Sequence, residues 1–382
     1  SESQERMAVV VDKKNVDRFK ELADTENLEA TVVAEVKDHG CLIMNWNGDD
    51  IINLSRDFLD TSGATQETKV EVTGPKEKKS YFKTAPQKRL SKTDLKKKWL
   101  ENLADINVCS QKGLVEKFDS TVGAGSVLMP YGGKYQLTPE QGMAAKIPTT
   151  DGDTTTGTIM SHGFDSKLAT WSSFHGALYA VIQSVAKVVA NGGNHQNIRF
   201  TFQEYFESLR DNPVRWGKPF SALLGAYQAQ KEFGLPAIGG KDSMSGTFHD
   251  LDVPPTLVSF AVDPVDVNNV ISSAFKRSGS QVVYLPVERD EHELPDFDKL
   301  TSAYQRVTNL IEQGKVLAAR AVTLGGIAEA VSKMSFGNKI GVDFTVNLPE
   351  DKLFTPDYGA LVLELKGDED VDKLFADINY QV

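Results

Sequence analysis

Cysteine is almost missing from this chain: Cys41 and Cys109 are the two it has in 382 residues. They stand far apart and without metal-ligand spacing, which argues against a disulfide framework and a structural zinc site and suits a reducing compartment. Neither sits where a nucleophile is expected. His39, His162, His175, His195, His249 and His292 show no ligand spacing either, and His175 reads as a packed, hydrogen-bonded residue of a core helix. A hydrophobic run long enough to span a bilayer is lacking, as is a charged, then apolar, then small-residue leader, so the expected location is cytoplasmic. Basic residues are not in excess: 42 Lys and Arg face 53 Asp and Glu, a formal net charge of −11. That balance disfavours a broad nucleic-acid surface but leaves room for local donors that hold anionic metabolites.

What is present is ordinary globular composition, 40% hydrophobic and 25% charged, in a chain too long for one core. Two or three domains are expected, of α/β and α+β class. Residues 7 to 12 and 30 to 36 read as strands, 15 to 24 as a short amphipathic helix, and further strands follow near 40 to 46 and 50 to 54. Residues 359 to 377 repeat the pattern of 7 to 24, which points to duplication of a large module. The tract from Lys76 to Lys98 is strongly basic, and Gly74-Pro75 and Pro86 mark it as a solvated linker. Beyond it, 173 to 190 and 219 to 233 read as helices, 235 to 238, 256 to 262 and 281 to 285 as strands, and 301 to 334 as helix, strand, helix.

The most informative segment is GLPAIGGKDSMSGT, residues 234 to 247. An apolar strand runs into Gly239-Gly240 and then presents Lys241, Asp242, Ser243 and Ser245. Paired glycines at a turn let backbone amides approach a ligand, and a lysine with two hydroxyls supplies the donors a phosphate needs.

Together with SESQERM at 1 to 7, SHGFDSKLATWSSFHGALYAV at 161 to 181 and RFTFQEYF at 199 to 206, this loop resembles the large form of the phosphoribosylformylglycinamidine synthase family. The resemblance covers nearly the whole chain. It implies a PurM-like fold, the superfamily named after aminoimidazole ribonucleotide synthetase. Residues 1–73 would be the last part of a first C-type domain, 74–112 a basic linker, 113–277 an N-type domain of mixed sheet and helices, and 278–382 an α+β C-type domain.

The implied activity is that of an ATP-dependent ligase of purine biosynthesis, which uses magnesium and converts formylglycinamide ribonucleotide and glutamine to the amidine. The family's glutaminase and first N-type domain are implied partners, a homodimer through 120 to 262 is a further partner expectation, and this chain alone would be inactive. Two other readings stand beside it: a non-catalytic scaffold half with a degenerate nucleotide site, and another ATP-dependent synthetase of the superfamily.

By resemblance, Glu2, Ser3, Gln4 and Ser243 contact the substrate, and Gly239, Gly240, Lys241, Asp242 and Ser245 face phosphate or nucleotide. No catalytic residue and no metal ligand is assigned. The family's auxiliary metal-nucleotide site is altered here: Gly163 stands at one aspartate with Asp165 nearby, Gln183 and Lys187 replace a glutamate and asparagine, and Thr323-Leu324-Gly325-Gly326 replaces Ser-Asp-Gly-Gly. Magnesium needs charged oxygen ligands, so the expectation is a pocket that is empty or filled by side chains, the alternative being that Lys187 pairs directly with a phosphate.

Overall fold

The computed structural model describes residues 6–61, 67–76, 78–90, 94–118, 121, 123–345, 348–367 and 369–382, with backbone alone for 86–89. The chain divides into two compact units, Ser1–Glu67 and Thr68–Val382.

In the first unit, Asp12 accepts a hydrogen bond from the Lys14 amide and opens a short turn that leads into α1 (Val16–Thr25). A hairpin follows, β1 (Cys41–Trp46) and β2 (Asp49–Ser55), and then α2 (Arg56–Thr61). The hairpin turns at Asn47-Gly48, both with positive φ, the residue pair that such a two-residue connection favours. Residues 7–12 and 30–36, expected as strands, form none. A strand is held by its ladder, and among the described residues neither segment has a pairing partner; Val10 and Val33 are each 87% exposed.

The second unit begins with the basic tract, and here the structure departs from a solvated linker. The tract forms α3 (Tyr81–Arg89) and α4 (Leu95–Ala104). Its lysines at 96 and 97 are exposed, as a charge run predicts, but its aromatic residues anchor it. Phe82 is buried with its ring edge-on to Tyr179 at 5.2 Å, and Trp99 Nε1 donates to Ser332 Oγ at 2.9 Å. Two aromatic anchors outweigh the solvation of the lysines beside them.

There follow β3 (Gly142–Lys146), β4 (Thr156–Gly163), α5 (Ser166–Trp171), α6 (Ser173–Ala190), β5 (Arg199–Tyr205), α7 (Pro213–Phe233), β6 (Ala237–Lys241) and β7 (Thr256–Asp266). Their five strands make one sheet in the order β3-β4-β7-β5-β6, antiparallel except for the β5/β6 pair. β7 runs past Pro264 because β5 begins, at Arg199, opposite Val262, so the proline lies where the strand has a neighbour on one side only. α7 starts six residues before the helix read from the sequence. Asn212 caps it by accepting from the Val214 and Arg215 amides, with Pro213 in the first turn, whereas Pro219 had suggested a start.

The remaining elements are β8 (Val282–Leu285), α8 (Phe297–Glu312), β9 (Val316–Ala321), α9 (Gly326–Phe336) and β10 (Leu361–Leu365), with an antiparallel sheet in the order β8-β10-β9. β10 is the buried centre of that sheet and belongs to the repeated segment. Among the described residues no helix is long and apolar enough to cross a membrane.

Helix α6 is the hub. Its residues from His175 to Ala190 are all buried, and it packs on α7, on β4 and β7, and on β9. Close approach depends on glycine: a Cβ on Gly225 of α7 would lie 2.1 Å from the Phe174 carbonyl oxygen. Gly225→Ala is therefore expected to push the two helices apart and cost about 2 kcal/mol or more, read as a lowered midpoint in urea. An unchanged midpoint would contradict this packing.

Candidate functional site

The sequence-predicted residues fall in two separate places. The first is the edge of the five-stranded sheet. β6 is outermost and parallel to β5, so the segment after it emerges beside the C-terminal end of β5. Gly239 and Gly240 do not form the turn read from the sequence. Both lie within β6, and neither has a left-handed φ. Gly240 is required for another reason: a Cβ there would stand 2.5 Å from the Phe202 carbonyl oxygen.

The chain then stays on β5. The Ser243 amide donates to the Glu204 carbonyl at 3.1 Å, and the Phe206 amide donates to the Ser243 carbonyl at 2.9 Å. Lys241 and Asp242 are exposed and Ser243 is half-buried, its Oγ 2.9 Å from Ser245 Oγ. Beside them stands Glu204, a residue the sequence reading passed over. Burial and the neighbouring Asp242 charge push its carboxyl up to about 7, so it exchanges a proton near neutrality.

The second place is a cleft of about 820 Å³ in the Thr68–Val382 unit, lined by Gln183 and Lys187 of α6, His162 of β4, Arg320 of β9, and Glu329 and Lys333 of α9. It is open, not filled by side chains. Lys187 is buried and its Nζ donates to the His162 carbonyl at 2.7 Å. Burial first, and then the Arg320 charge, push it down to about 8. In turn the Lys187 charge, aided by burial, holds the His162 imidazole at about 4.

Arg320 donates to the Pro139 carbonyl at 2.7 Å and to Glu329 Oε1 at 2.8 Å, and Lys333 Nζ lies 2.9 Å from the same oxygen. Burial opposes ionisation of Glu329, but these two cations prevail and hold its carboxyl below the usual range. Thr323 and Leu324 reach the cleft just ahead of α9, where the cap residue Gly325 and the first helical residue Gly326 adopt φ of 105° and 68°.

Two features bear on metal binding. A Cβ on Gly163 would fall 2.0 Å from the Ala180 carbonyl oxygen, so no side chain fits there on this backbone. The nearby Asp165 is already committed. Its Oδ1 accepts from the Lys167 and Leu168 amides as the cap of α5, and its Oδ2 accepts from the hydroxyls of Tyr81, at 3.0 Å, and Tyr358. Among the described residues no group of three or more His, Cys, Asp and Glu is placed to hold a metal ion.

Glu2, Ser3 and Gln4 lie outside the described residues. None of Gly239, Gly240, Lys241, Asp242, Ser243 and Ser245 lines the cleft that holds Lys187, so the structure does not join them into one phosphate site. Arg320, Glu329 and Lys333 went unread in the sequence, although signals existed. Arg320 interrupts the apolar strand VLAARA, and Glu329 and Lys333 stand four apart on a helix that is otherwise largely apolar. His175 is buried as expected, with Nδ1 2.8 Å from Ser172 Oγ and Nε2 2.9 Å from the His292 carbonyl.

No family model matches the chain. Among curated proteins it resembles the phosphoribosylformylglycinamidine synthase subunit PurL of Picrophilus torridus, 26% identical over 403 residues, covering 96% of this chain and 50% of that protein. The PurL subunit of Thermoplasma volcanium is 24% identical over 391 residues, covering 96% of this chain and 49% of the other. The chain thus spans about half the length of the curated relatives it matches.

Among solved structures, Thermotoga maritima PurL complexed with ATP superposes with a TM-score of 0.63 at 20% identity, over all of this chain and 54% of that one. The same protein complexed with FGAR gives 0.62 at 20% identity, over 98% and 52%. The chain has the PurL fold and is homologous to the PurL subunit of phosphoribosylformylglycinamidine synthase along nearly its whole length.

Proposed function

We propose that this chain is part of a phosphoribosylformylglycinamidine synthase, a ligase of purine biosynthesis that turns formylglycinamide ribonucleotide into its amidine at the expense of ATP, with nitrogen from glutamine. The observation that supports this most is the segment Gly239–Ser245. It lies at the C-terminal end of a parallel strand pair, with an ammonium and two hydroxyls on one edge beside a carboxyl that titrates near neutrality. Lys241, Ser243 and Ser245 are donors for a ribonucleotide phosphate. A solved PurL structure is described as an FGAR complex, which fits a substrate of this class.

A scaffold reading of this half draws support from the cleft, where Gly163 leaves no room for a carboxylate and Asp165 is held by other groups. The residues present do not suit a magnesium-bridged nucleotide.

Calorimetric titration of the chain with formylglycinamide ribonucleotide is expected to show binding, weakened about five- to tenfold by Ser243→Ala, the loss of roughly one hydrogen bond. Absence of binding would favour the scaffold reading over the substrate-binding one.

A pH test addresses the same edge. The folded chain holds the Glu204 proton more tightly than the unfolded chain, so this residue's contribution to stability is most favourable below pH 4.5 and declines as pH rises through 7. Glu204→Gln should then raise the melting temperature at pH 8, by the equivalent of about 1 kcal/mol after solvent screening, and change little near pH 4. An equal effect at both pH values would show that Glu204 is not perturbed.

A further inference from the structure

Helix α7 has two unlike sides. Its inner side buries Ala222, Ala226 and Ala229, and the helix packs on α6. Its outer side shows Phe220, Leu223, Leu224 and Tyr227, which are 45%, 53%, 41% and 58% exposed. Spacing of i, i+3, i+4 and i+7 puts all four on one face, and Trp216 and Lys231 extend that face by a turn at either end. A surface helix ordinarily turns charged residues outward. This one carries no charged residue from Pro219 to Gln230, and Gln228 and Gln230 border the stripe. Scattered exposed apolar residues need no explanation, but a contiguous row of large ones marks a surface that receives a partner.

The layout of the stripe indicates which partner it fits. It has no charge with which to meet an acidic or a basic surface, and its pattern reads alike in both directions. Reversal about the midpoint between Leu223 and Leu224 places Phe220 on Tyr227, Leu223 on Leu224 and Trp216 on Lys231. A two-fold axis needs this symmetry, because an isologous interface sets residue i on j and j on i. Two such helices laid antiparallel, within about 20° of one another, bring aromatic to aromatic on either side of the axis and the Lys231 ammonium of one copy over the Trp216 indole of the other. Antiparallel alignment also opposes the two helix dipoles.

Size agrees with a weak pair. Side chains of roughly 150–250 Å² each, about half exposed, give on the order of 400 Å² of apolar surface per copy. Two copies then cover about 800 Å² of it together with the polar rim, at the lower end of what a specific interface buries.

We propose that α7 is a self-association surface, through which two copies of this chain pair antiparallel by Phe220, Leu223, Leu224 and Tyr227, with the two-fold axis passing between Leu223 and Leu224. The inference is independent of the ribonucleotide reading. It places the homodimer expected through 120 to 262 on a helix and not on the strands of the sheet.

Sedimentation velocity on the full chain, over about 1 to 100 µM, tests it. The weight-average mass should climb from that of one chain towards that of two, with half-association in the micromolar range. Leu223→Glu and Leu224→Lys should each weaken association about a hundredfold, since each buries a charge in an apolar seam. Both positions are exposed in the single chain, so its melting temperature should stay unchanged. Mixing the two variants should restore association, because position 223 of one copy meets 224 of the other. Ile238→Glu, on the exposed edge strand β6, should leave association as it is. A chain that stays monomeric to 100 µM would overturn the proposal and assign the stripe to a different partner. A dimer that survives Leu223→Glu, a dimer that Ile238→Glu abolishes, or no recovery on mixing would overturn it as well.

Discussion

The approach of α6 to β4 governs both the core and the cleft. The Ala180 carbonyl oxygen would be 2.0 Å from a Cβ on Gly163, and the Phe174 carbonyl oxygen 2.1 Å from one on Gly225. Glycine at these two positions brings the helix down onto strand and neighbouring helix with no side chain between. The same closeness carries Lys187 to within 2.7 Å of the His162 carbonyl and fixes its ammonium at the cleft wall. A helix held further off would leave space for a carboxylate at 163 and let Lys187 reach solvent. Packing therefore decides the electrostatics here, and protein interiors adjust too little for the two to be set separately.

That electrostatics is unusual for being lopsided. Buried ionic groups are ordinarily balanced, because the desolvation cost of a lone charge exceeds what the fold supplies in return. Arg320, Glu329 and Lys333 do form a compact ion-pair group between β9 and α9. Lys187 stands outside that group, and burial pushes it down to about 8. The sheet edge shows the opposite case on the acid side, where burial and Asp242 raise Glu204 to about 7. Strained protonation at two separate places in one unit is the pattern of sites that receive ligands.

Much of the fold was legible in the sequence, and the failures have physical causes. The α6 stripe from Phe174 to Val189 gave its helix nearly to the residue, because a buried helix writes its period into apolar positions. The segments at 7–12 and 30–36 carry valines as strands do, yet strand formation depends on a neighbour that local sequence cannot supply. The basic tract misled because charge was weighed over Tyr81, Phe82 and Trp99, the residues that pack. Around the candidate sites, the Lys241-Asp242-Ser243 segment and the Lys187 substitution could be seen directly. Their separation could not, since it follows from β6 lying at the sheet edge while Lys187 reaches the His162 carbonyl of β4 at the cleft wall, nor could the convergence of Arg320, Glu329 and Lys333 from two elements.

Lys187, Arg320 and Lys333 line a cleft in which a metal-bridged nucleotide would need carboxylates, and Gly163 leaves no room for one. Crystals grown with ADP and manganese, with data collected at the manganese absorption edge, test this most directly. No anomalous peak in the cleft is expected. A manganese peak there would contradict it.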